Sequence, residues 1–278
     1  MQLNFKTIFL LIISWFLIVS CERPLETDLV LPKATPFVTF YLTDISDTLK
    51  LFFKKPISAN DSGVIIDEYH NSLNITDALV LIDDGLVQRQ MHYDSSYRSY
   101  LIDTNAMPLL KGREYHISVT QLDGTRMEAS TVIPAYDVPS INYTALKQEK
   151  NYTYDFSFND AIGEEKYYLL QFSQLMPEND GDTVEVVLKS FPILKQENQD
   201  YIDMVVNFTL PNHFYTPAKE EINYGLLIRP YVINKDMFLY FNSINSNLSA
   251  TGNPYSSPSP VYSNFTGGRG IFGPVISK

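Results

Sequence analysis

The stretch Arg113–Pro134, REYHISVTQLDGTRMEASTVIP, decides how the rest of the chain is read. Tyr115, Ile117 and Val119 alternate with His116, Ser118 and Thr120, the pattern of a strand with one buried face and one wet face. The pair Asp123-Gly124 that follows is favoured where a tight connection between strands needs positive φ. A β-hairpin is expected, with His116 on its outer side.

The same reasoning extends in both directions. Asp84-Gly85 separates ALVLI from LVQRQMHY within Ala78–Tyr93 and marks a second hairpin. Upstream, PFVTFYLTD begins at Pro36 and DTLKLFFKKPI at Asp47, while SYRSYLI begins at Ser96. Short apolar runs divided by turn residues describe a mainly β chain, with a β-sandwich over residues 37–134. Pro134 and Pro139 interrupt any continuing strand and mark the end of that sandwich. Residues 140–278 form a second β-rich domain, with strands expected in YTYDFSF, KYYLLQFSQ, DTVEVVL, IDMVVNF and NYGLLIRPYVI. One helix is expected around residues 235–249, where Phe238, Phe241, Ile244 and Leu248 share a broad apolar face and Asn234 stands at the capping position. The Pro/Ser/Asn-rich run TGNPYSSPSPVYSN from Thr251 is expected to be an ordered surface loop.

The first residues, MQLNFKTIFLLIISWFLIVSC, place Lys6 ahead of an apolar run that is short for a membrane-spanning helix, which needs about 20 apolar residues. They fit a signal peptide over residues 1–20. Ile18-Val19-Ser20-Cys21 resembles the bacterial lipobox, and Cys21 is the one cysteine in the chain, so lipidation of Cys21 is expected and a disulfide framework is not. Residues 21–36, with three prolines after Cys21 and mixed charge, read as a lipidated tether.

The net formal charge of −11, which removal of Lys6 deepens, disfavours nucleic acid as a partner. The lone tryptophan, Trp15, lies in the signal segment, which argues against a tryptophan platform for sugars. His70, His92, His116 and His213 are scattered without metal-ligand spacing. The acidic run Glu178–Asp182 lacks the spacing and distal glutamate of a calcium loop, and no G-x-S-x-G elbow is present. Near the C-terminus, Gly268, Gly270 and Gly273 satisfy G-x-G-x-x-G, yet only PVISK follows. The dinucleotide fingerprint needs a helix and an acidic residue beyond it, so no cofactor, metal or catalytic residue is assigned. Phe272, flanked by these glycines, is expected to tuck against the second domain.

The run Asn253-Pro254-Tyr255, then Ser263-Asn264, then Gly268, Gly270, Phe272 and Gly273, resembles the closing signature of a family of Bacteroidota lipoproteins catalogued as a domain of unknown function. Leu31-Pro32 and Pro36-Phe37-Val38 at the front, together with the two Asp-Gly hairpins, resemble the same family. Many of its members end with a small residue and a tyrosine after Phe-Gly, where this chain has Pro274-Val275. The resemblance implies an outer-membrane lipoprotein with an immunoglobulin-like N-terminal domain, often encoded beside TonB-dependent receptors of the nutrient-uptake type, and implies no catalytic residues. Asp47-Thr48-Leu49 and Asp182-Thr183-Val184 also resemble the Asp-Thr-apolar acceptor motif of Bacteroidota O-glycosylation, at Thr48 and Thr183.

The expected function is thus that of a non-enzymatic, lipid-anchored component of the outer membrane, facing either the periplasm or the cell surface, that binds or docks for a TonB-dependent receptor. The alternatives are an extracytoplasmic hydrolase whose carboxylates meet only in the fold, and a structural envelope protein.

Overall fold

The computed structural model describes residues 35–56, 73–139, 141–148, 151–160, 163–177, 183–197, 201–209, 226–250 and 260–277. In chain order these form β1 (Phe37–Thr43), β2 (Thr48–Lys54), β3 (Leu79–Asp83), β4 (Gln88–Asp94), β5 (Ser99–Asp103), β6 (Glu114–Thr120) and β7 (Arg126–Val132). Then come β8 (Ile141–Gln148), β9 (Asn151–Asn159), β10 (Lys166–Pro177), β11 (Thr183–Lys195), β12 (Tyr201–Thr209), β13 (Leu226–Ile233), the helix α1 (Lys235–Ala250) and β14 (Arg269–Ile276). Among the described residues the protein is mainly β with one helix near the C-terminus, and the sandwich reading of its N-terminal half agrees with this arrangement.

Both Asp-Gly hairpins form as the residue chemistry requires. Gly85 takes φ +82° between β3 and β4, and Gly124 takes φ +83° between β6 and β7. The Asp83 and Asp84 carboxylates accept the turn amides of Gly85, Leu86 and Val87 at 2.6–3.0 Å, and Asp123 accepts from Thr125 N–H at 2.9 Å. On β6, Tyr115, Ile117 and Val119 are buried while Glu114 and His116 are exposed.

An eleven-stranded sheet runs in the order β11-β10-β13-β14-β1-β2-β5-β4-β3-β6-β7, and β12-β9-β8 form a separate three-stranded sheet. The larger sheet curls back on itself: Glu128 of β7 and Thr266, just ahead of β14, exchange backbone hydrogen bonds of 3.1 and 2.8 Å. Strands β14, β1, β2, β5, β4, β3, β6 and β7 therefore surround one core, built around Val38, Phe40, Leu51, Ile82, Ile117 and Phe272. On the opposite face, α1 lays Met237 and Tyr240 against Tyr231, Ile233, Ile271 and Val275, forming a second core. Asn234 caps the helix as expected, its Oδ1 accepting from Met237 N–H at 3.1 Å. Its Nδ2 donates to Thr131 Oγ1 of β7 at 2.8 Å.

Pairing of β1 with β14 joins the two ends of the described chain. It is parallel, running from Phe37↔Arg269 to Thr43↔Val275. Every residue of β14 from Gly270 to Ile276 is buried, as a strand between two cores must be. The sheet thus runs across the expected boundary at Pro134–Pro139, and Thr35–Lys278 is one compact unit. Tyr136, within that connection, is pinned to the sheet: its hydroxyl accepts from Tyr167 N–H at 2.9 Å and lies 3.2 Å from the Ile233 carbonyl.

Candidate functional site

The C-terminal glycine run, whose spacing resembles a ligand motif, lies along and just ahead of the buried strand β14. Phe272 is fully buried and stacks on Phe40 with centroids 5.2 Å apart and planes 10° apart. The ring therefore packs into the core of the N-terminal strands, not against the second half as expected; the parallel register Phe40↔Phe272 places it there. A Cβ at Gly270 would fall 2.6 Å from the Val38 carbonyl, and one at Gly273 would meet the Met237 side chain of α1. The glycines thus let β14 approach β1 on one side and the helix on the other. They hold a strand in place and face no open cradle.

Ser263 and Asn264 act as a side-chain edge for the same strand. Ser263 Oγ accepts from Gly270 N–H at 3.0 Å. Asn264 Oδ1 accepts from Phe272 N–H at 3.0 Å, and its Nδ2 donates to the Phe272 carbonyl at 2.7 Å. The carboxylate of Asp236 on α1 accepts from the Tyr262 hydroxyl at 2.5 Å. Burial, then that hydrogen bond, pushes the Tyr262 hydroxyl up to about 12. Asn264, Gly268, Gly270, Phe272 and Gly273 are brought together as structure. Asn253 and Pro254 lie outside the described residues, as do Cys21, His70, His213 and the acidic run Glu178–Asp182.

Thr48 opens β2, half-buried, opposite Asp103, and Thr183 opens β11 opposite Pro177. Among the described residues no group of three or more His, Cys, Asp or Glu is placed to hold a metal ion, and no helix is long and apolar enough to cross a membrane.

A second cluster, which sequence inspection missed, lies where β9 hands over to β10. Asp160 Oδ1 accepts from Lys166 Nζ at 2.8 Å, and Oδ2 accepts from the Tyr168 hydroxyl at 2.5 Å, with Lys195 Nζ 3.8 Å away. Lys166 and Lys195 are direct cross-strand partners, so like charges face each other and Asp160 offsets them. Burial alone would raise the Asp160 carboxyl; the hydrogen bonds from Lys166 and Tyr168 and the two ammonium charges bring it below its ordinary value. Burial and the Asp160 contact push the Tyr168 hydroxyl up. Lys195 is fully buried. Such an arrangement locks strands together.

Among the described residues, one surface open to a ligand is the outer face of β3, β6 and β7. A hollow of about 410 Å³ lies there, with Asp83, His116, Ser118, Arg126, Glu128 and Ser130 among its lining residues. Register explains the set: Asp83 pairs with His116 and His116 with Ser130, while Ser118 pairs with Glu128. The alternation that buries Tyr115, Ile117 and Val119 turns these polar side chains outward. Small serines between longer neighbours leave the hollow. Arg126 Nη2 donates to Glu128 Oε1 at 2.6 Å, and His116 Nε2 stands 3.8 Å from Glu114 Oε1 with both side chains about half exposed. Carboxylates, hydroxyls, a guanidinium and an imidazole can exchange hydrogen bonds with a ligand rich in hydroxyls or amides.

The described residues form a helix-backed β-sandwich whose C-terminal strand lies between two cores and whose outer face carries a hollow lined by hydrogen-bonding groups. The chain belongs to the family defined by the domain of unknown function DUF4249, whose model matches residues 54–275. No curated protein matches it.

Proposed function

We propose that this is a non-enzymatic lipoprotein of the outer membrane, anchored through Cys21, which binds or docks for a TonB-dependent nutrient receptor. The observation that carries the reading is the hollow on β3, β6 and β7: a wide polar surface on a rigid sheet, suited to holding a ligand. Its one histidine is paired at long range with an exposed glutamate, a poor arrangement for an oriented general base. The leader-like residues 1–20 and the lipobox-like residues before Cys21 support membrane attachment.

The test is crosslinking in native membranes followed by purification of the lipid-anchored chain. A receptor-type β-barrel should be recovered with the wild type. Recovery of no such barrel would remove the partnership, and loss of membrane association in Cys21→Ala checks the anchor separately.

A further inference from the structure

Both ends of the sandwich expose apolar side chains, Leu79, Tyr97 and Leu122 at one and a larger group at the other. The chain enters the compact unit at Thr35, beside the start of β1. At the other end lie the β1–β2 and β3–β4 turns, the β5–β6 loop and the end of β7. That far end exposes Ile45, Leu86, Val87, Leu110 and Val132, with Leu86 exposed to 76%. Single exposed apolar residues are ordinary, but several on adjoining loops mark an interaction surface.

These loops are held together. Thr104 N–H of the β5–β6 loop donates to the Asp47 carbonyl at 2.9 Å, and Gly112 N–H donates to the Ile133 carbonyl at 2.8 Å. Arg113 Nη1 donates to Asp84 Oδ2 at 2.6 Å, tying the β5–β6 loop to the β3–β4 turn. The Tyr115 hydroxyl donates to the Pro108 carbonyl at 2.7 Å and accepts from Leu110 N–H at 2.8 Å. The apolar tips are thus preorganised, which lowers the ordering cost of binding.

Charge selects the occupant. Among the described residues of these loops, the cations Lys111 and Arg113 are each engaged by a carboxylate, Asp137 and Asp84. Asp47, Asp83, Asp103 and Glu114 leave it net negative. A second copy presenting the same face would meet like charge, and an anionic lipid surface would be repelled. We infer that this end of the sandwich docks a protein surface with an apolar centre and a basic rim. Resting on the receptor reading above, the inference assigns that partner's contact to the end away from Thr35.

The test places photoreactive benzoylphenylalanine at Leu86 of the lipid-anchored chain in its native membrane, and at Leu122, which is equally exposed at the opposite end. The Leu86 probe should give one protein adduct whose crosslinked segment is basic by mass spectrometry, and the Leu122 probe should not give it. Yield should fall several-fold on raising salt from about 0.01 M to about 1 M, where screening shortens from roughly 30 to 3 Å. Leu110→Asp together with Ile45→Asp, both exposed loop residues, should abolish the adduct while leaving the melting temperature unchanged. Adducts to a second copy or to lipid, equal yields from both probes, or no Leu86 adduct would overturn the docking face. If the adduct is a basic protein other than a β-barrel, the face stands and the receptor assignment falls. If crosslinked purification recovers the receptor and Leu86 gives no adduct, the face falls and the receptor assignment stands.

Discussion

At the scale of the residue, the C-terminal motif is a packing device whose glycines and aromatic ring answer to one another. Phe272→Ala would leave a cavity beside Phe40, and such truncations cost about 3–5 kcal/mol; a matching loss in urea-unfolding free energy is expected. Gly270→Ala should also destabilise, because the new methyl meets the Val38 backbone, which cannot swing aside as a long side chain can. Asp84 makes a different prediction. Hydrogen bonds from Val87 and Leu86 amides, with Arg113, hold its carboxyl below its ordinary value despite burial. A folded-state pKa depressed below an unfolded value of about 3.9 gives stability that is present above roughly pH 4 and lost as pH falls through the folded value. Asp84→Asn should therefore be less stable than wild type at pH 7, by about 1–3 kcal/mol, with the gap narrowing in melts below roughly pH 4.

At the scale of the element, local chemistry was readable and long-range pairing was not. The Asp-Gly turns, the inward face of β6 and the Asn234 cap each depend on residues a few positions apart. Asn234→Ala should cost about 1 kcal/mol for the cap and somewhat more for the lost hydrogen bond to Thr131, measured by thermal unfolding with the helical ellipticity of α1 as a second readout. By contrast, nothing near Phe37 announces that its neighbour will be Arg269. The glycine run was legible as a spacing and as a point of family resemblance. Its role was hidden, because Val38 and Met237, the groups the glycines make room for, lie far away in sequence. The hollow on β3, β6 and β7 was half legible: alternation set His116 and Ser118 outward, but the pairing that brings Asp83 and Glu128 beside them required the sheet. Asp160 gave no signal, since neither lysine it serves forms a motif with it.

At the scale of the whole molecule, β14 contributes Phe272 and Ile276 to one core and Ile271 and Val275 to the other. The two cores should therefore unfold together. Calorimetry is expected to give one transition with matching calorimetric and van't Hoff enthalpies; two resolved transitions would show that the N-terminal sandwich stands without β14. The parallel pairing has a consequence in time as well. Until β14 reaches β1 both cores stay open, and closing a loop that spans most of the described chain slows such a topology. Strand β14 thus acts as a latch: its pairing with β1 shuts both cores in one step.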